Sequence, residues 1–129
     1  PRADAGPVER LRDFVTSRLH AVAVEPGLHS LLFSDQLSHA LGAAGPRHVA
    51  ALRDRGRAYV RSCLREAADA GLVRRDLDVD ATMLLITGTV MSFLFATKDG
   101  ALHASVPDME ERIWQTISAL LAPPTQATS

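Results

Sequence analysis

A chain of 129 residues with 47% hydrophobic and 22% charged residues belongs to the globular class and is long enough for one domain. Its 14 basic residues, all arginine except Lys98, meet 15 acidic ones for a net charge of -1, so there is no cationic excess for a phosphate backbone. The single Cys63 excludes an intramolecular disulfide and suits a reducing, cytoplasmic compartment. The opening "PRADAGPVER" lacks the apolar core of a secretion signal and starts on Pro1 rather than Met, so a preceding segment is expected.

Pro7 opens the first predicted helix, which runs to about Val22. Val8, Leu11, Val15, Leu19 and Val22 recur at helical spacing, while Glu9, Arg12, Asp13 and Ser17 fall elsewhere, so one side is built for burial. "EPG" at 25–27 breaks it, and a second apolar segment follows with Leu28, Leu31, Leu32, Phe33, Leu37 and Leu41 until "GAAGP" at 42–46. The third and longest helix is expected over Arg47 to Ala70. It carries Val49, Leu52, Tyr59, Val60, Cys63, Leu64 and Ala67 along one side, and Gly71 stands ready to cap it in the left-handed conformation.

Asp78 is a good N-cap for the next helix, whose stretch "ATMLLITGTVMSFLFAT" from Ala81 to Thr97 holds no charge and which "KDG" ends. In the last helix Ser105 and Asp108 make a capping-box pattern ahead of Met109, Ile113, Ile117 and Leu120, with Trp114 and Leu121 beside that stripe. "PPTQATS" reads as a frayed tail. Nothing alternates like a strand, repeats, or divides the chain, so the expected fold is a single all-α domain of about five helices spanning residues 1–129.

The uncharged helix falls short of a membrane span. It holds Thr82, Thr87, Gly88, Thr89 and Ser92, is closed by Asp80 and Lys98, and has neither basic flank nor aromatic belt. It is therefore expected to be buried by protein on every side. Met83, Ile86, Thr87, Val90 and Leu94 make one bulky side, and Leu85, Gly88, Thr89, Ser92 and Ala96 lie opposite. Gly88, Ser92 and Ala96, spaced by four, let another helix come close. One side fits the chain's own core. The other fits a second copy through a self-complementary contact to which Trp114, Ile117 and Leu121 add bulk from the last helix.

The run "EAADAGLVRRDLDVDATMLLITGTVMSFLFA", after a long charged helix and before "MEERIWQTISALL", resembles the C-terminal regulatory domain of TetR-family transcriptional repressors. The resemblance covers nearly the whole chain in helix order and length; its most specific part is "AGLVRRDLD" with the uncharged helix after it, and the first two helices match only in type. It implies that the last two helices pair with those of a second subunit in a four-helix-bundle dimer interface, and that a small-molecule pocket lies among the remaining helices. It also implies an N-terminal helix-turn-helix DNA reader upstream of Pro1, so that DNA is bound only through that domain.

Nothing in the sequence supports catalysis, a cofactor or a metal. The five histidines include no i, i+4 pair, Cys63 has no flanking ligand, and "GTV" and "GAAG" lack the strand context and spacing of a phosphate loop. The acids of "RRDLDVD" could be a paired-carboxylate site, yet capping a helix accounts for them. The arginines from Arg53 to Arg65 alternate with Asp54 and Glu66, as on a solvated face. Polar groups stranded among apolar ones are the candidates for a small-molecule site: His29, His39, Tyr59, Cys63, Thr87 and Met91, with Phe33, Leu37, Phe93 and Phe95 as walls. With aromatic residues at only 5%, a compact or flexible apolar effector suits this inventory better than a stacked planar one. Two functions stay open: a ligand-responsive dimerising domain of a repressor, and a helical dimerisation or adaptor domain without a ligand.

Overall fold

The computed structural model describes the backbone of residues 5–32 and 44–124 and, apart from 30–32 and 44–46, their side chains. Among the described residues the helices are α1 (Pro7–Val24), α2 (Pro26–Leu32), α3 (Ala44–Asp69), α4 (Val79–Lys98) and α5 (Val106–Leu121), with no strand. The fold is all-α, as the periodicity requires.

The hub is α1. The stripe expected there, Leu11, Val15, Leu19 and Val22, is at most 3% exposed, and α1 packs against each of the other four helices. Around it gather Val60 and Leu64 of α3, Ile86 and Leu94 of α4, and Trp114, Ile117 and Leu121 of α5 in one continuous core. Charged residues at the rims tie the helices to one another. Arg10 of α1 pairs with Glu66 of α3, Arg12 and His20 approach Glu111 and Glu110 of α5 at 3.7 and 3.5 Å, and Arg61 of α3 reaches Asp80 of α4 at 2.9 Å. Most of these charges are well exposed, so they set register more than they stabilise.

The helix ends follow local chemistry. Gly71 has φ 72°; its N–H donates to the Ala68 carbonyl and that of Leu72 to the Ala67 carbonyl, the Schellman pattern that closes α3. Gly100, at φ 68°, closes α4 in the same way, with the Ala101 N–H on the Ala96 carbonyl at 2.9 Å. Two boundaries differ from expectation. α3 begins at Ala44 rather than Arg47, because Gly45 and Pro46 fall in its first turn, where proline's missing N–H has no helical partner to lose. The break at 25–27 narrows to Glu25 alone, since Pro26 starts α2 for the same reason.

Asp78 caps α4 by accepting the Ala81 N–H at 3.0 Å, and Ser105 caps α5 by accepting that of Asp108 at 3.3 Å. Asp78→Ala should therefore cost about 1 kcal/mol in chemical denaturation. An unchanged midpoint and slope would show that the cap contributes nothing.

The uncharged helix is not buried on all sides. Met83, Ile86, Phe93 and Leu94 of α4 are at most 3% exposed, whereas Leu84, Leu85 and Phe95 are 58%, 69% and 48% exposed. By length and composition α4 could cross a membrane, with mean hydropathy 1.7, yet its bulky side is docked on α1 and α3. Among the described residues no second layer of protein covers the other side.

Candidate functional site

Between α4 and α5 lies a groove of about 650 Å³, open to solvent. The two helices run antiparallel across the turn that joins them, and the Arg74 N–H donates to the Leu121 carbonyl at 2.8 Å, so the end of α5 returns to the loop that feeds α4. Ile86, Ile117 and Leu121, all buried, form the floor. Leu85 and Thr89 rise on the α4 side, and Ile113, Thr116 and Leu120 on the α5 side. The hydroxyls of Thr89 and Thr116 are committed to their own helices: Thr89 donates to the Leu85 carbonyl at 2.7 Å and Thr116 to that of Arg112 at 2.9 Å. These walls therefore ask for no polar partner.

Charge is confined to the ends of the groove. At the mouth of α4 stand Arg74, Asp76 and Asp78; Arg74 Nε donates to Asp76 at 2.8 Å and holds its carboxyl below the usual range. Arg112 of α5 is the other charged residue in the lining, 3.8 Å from the exposed Asp108. An apolar trough with a few charges at its ends can bind a complementary surface. It holds no nucleophile paired with a base, and no group of three His, Cys, Asp or Glu side chains among the described residues could hold a metal ion.

The residues expected at a subunit interface divide between two environments. Leu85, Gly88 and Ser92 are exposed and Ala96 is half-buried, all on the side of α4 away from the core. A Cβ placed on Gly88 would meet nothing within 4 Å, so the face is open at that point. From α5, Trp114, Ile117 and Leu121 are 4%, 8% and 4% exposed and fill the chain's own core, with Ile117 and Leu121 also flooring the groove. Leu120, from the expected stripe of α5, is 61% exposed and adds bulk on the outward side. One residue on a helix turns a side chain by about 100°, and a stripe three residues wide cannot be divided between core and surface from spacing alone.

The candidate ligand residues do not form one cluster. Phe33, Leu37 and His39 lie outside the described residues. Tyr59 and Cys63 sit one turn apart on the α1 side of α3, where the Tyr59 ring lies 5.2 Å from that of Phe14 at 31° and Arg18 covers the Phe14 face at 5.1 Å. Cys63 is 1% exposed. Burial pushes its thiol and the Tyr59 hydroxyl up, with nearby Arg10 opposing both, so each stays neutral at physiological pH. Thr87 donates to the Met83 carbonyl of its own helix at 2.9 Å, and Met91 packs half-buried against the core. His29 Nδ1 lies 2.9 Å from the Glu25 carbonyl oxygen, Phe93 is core, and Phe95 is exposed. None of Tyr59, Cys63, Thr87 and Met91 lines the groove.

Helices gathered on α1, with an open groove between the last two, define an all-α domain. Residues 4–94 match the family described as tetracyclin repressor-like, C-terminal domain, and the chain belongs to that family, the regulatory domain of TetR-type transcriptional regulators. The matched segment spans α1 to most of α4 and ends before α5. No curated protein and no solved structure matches the chain.

Proposed function

We propose that the chain is the effector-binding and homodimerisation domain of a ligand-responsive transcriptional regulator, with DNA read by a separate N-terminal helix-turn-helix domain in the cytoplasm. The observation that carries the dimer is the outer face of α4. From Ala81 to Thr97 it presents no charge, and with Leu84, Leu85, Gly88, Ser92 and Phe95 exposed it offers water a long apolar surface. Such a patch on a soluble protein marks an interaction site. A second copy presenting the same face covers it, and an obligate contact of this kind buries about 2,000 Å² or more.

The effector reading draws on the seam between α1 and α3, where Tyr59 and Cys63 are polar groups in apolar surroundings beside Phe14. Because α1 touches every other described helix, a molecule wedged there would shift α1 against α4 and α5 and so alter how two subunits sit. One observation favours the alternative, a dimerisation or adaptor domain without a ligand: the Tyr59 ring packs on Phe14, and Cys63 is sealed in the core.

Thermal melts against a panel of small apolar compounds separate the two. A compound bound only by the native state at 100 times its Kd adds about 2.7 kcal/mol and raises the melting temperature by several degrees. Tyr59→Ala should blunt that rise. A panel that leaves the melting temperature unmoved would favour the adaptor.

A further inference from the structure

The charges lining the groove are laid out with a direction. Arg74, Asp76 and Asp78 share one end, where two carboxylates face one guanidinium, and Arg112 stands toward the other. Because α5 returns its last residues to the loop before α4, Leu121 marks the acidic end, and Arg112 lies nine residues back along α5, about 13 Å away at 1.5 Å per residue. Between the ends the lining is uncharged. Asp76 is bonded by Arg74 of its own chain at 2.8 and 3.5 Å, and Arg112 lies 3.8 Å from Asp108, but both are surface pairs; the Arg112 and Asp76 side chains are 62% and 75% exposed, so each stays within a partner's reach.

A surface that meets its own copy must be complementary to itself. Two such grooves laid in the same direction would bring acidic end to acidic end and Arg112 to Arg112. Laid in opposite directions, each acidic end meets an arginine. Apolar walls tolerate many partners of similar shape, so the selective part of the contact falls to the charges.

From this layout we infer that two copies pair with their grooves antiparallel, so that Arg112 of each protomer faces the partner subunit's Asp76, and that these two contacts select self-pairing over pairing with other domains of similar shape. The inference rests on the dimer proposed above and adds its sense and its specificity. Asp78 is left aside because it caps α4.

Charge reversal tests it. In sedimentation velocity at low salt, Arg112→Glu and Asp76→Arg should each weaken self-association about tenfold or more, since every dimer then brings two like-charged pairs together. Both positions are exposed, so circular dichroism should show unchanged helix content. Mixed one to one, the two variants should recover wild-type association as a heterodimer, in which both contacts again join opposite charges; a distinguishable tag on one variant reads this directly. Single variants that self-associate like wild type, or a mixture that recovers nothing, overturn the antiparallel contact while leaving the dimer standing. A monomeric wild type overturns both.

Discussion

Ser92→Arg should leave the chain monomeric at concentrations where the unaltered chain is a dimer, while Arg57→Glu should not change its mass. Ser92 lies on the open, uncharged side of α4 one turn from Gly88, whose missing side chain leaves the closest approach for another helix. An arginine there would bury an unpaired charge and a long side chain twice per dimer, at several kcal/mol each. Arg57 stands on α3 at 43% side-chain exposure, with only an exposed contact to Asp54 at 3.3 Å, and reversing it should stay within about 0.5 kcal/mol of neutral. Equal masses for Ser92→Arg and wild type in sedimentation velocity would place the seam elsewhere.

The second large effect is on the monomer itself. Leu19→Ala should cost about 2–5 kcal/mol in chemical denaturation, because Leu19 is 0% exposed on the helix that every other described helix touches, and the cavity it leaves cannot close without moving one of them. Val24→Ala, 62% exposed at the end of the same helix, should change stability by less than about 0.5 kcal/mol. Similar values for the two would mean that α1 is not the hub.

The elements were legible because this sequence states them locally. Breakers stand where helices end, Asp78 and Ser105 sit at the caps, and Gly71 holds the one conformation that it alone adopts cheaply. The two sides of α4 were legible as well, since Met83, Ile86 and Leu94 fall within one arc and Gly88 and Ser92 in the opposite one. The exposure of its outer side was not, because a count of apolar residues cannot say how many neighbours a helix finds.

The groove was the harder feature. Its floor and walls come from two helices and the loop before them, joined through the bond from Arg74 to Leu121, and spacing within either helix carries no trace of that bond. That Trp114 is buried while Leu120 is 61% exposed has the same origin: which flank of α5 meets α1 is decided by tertiary packing. The ligand candidates were chosen as polar residues on apolar stripes, a criterion equally met by Thr87 bonding to its own helix and by Tyr59 stacked on Phe14.

Sedimentation equilibrium of the unaltered chain, followed from submicromolar to high micromolar concentration, tests the central claim most directly. Pairing of two copies through the α4 face predicts the mass of two chains through the micromolar range, with a single monomer–dimer equilibrium describing every concentration. The mass of one chain throughout would contradict it and leave the exposed Leu85, Gly88 and Ser92 to be covered by something other than a second copy.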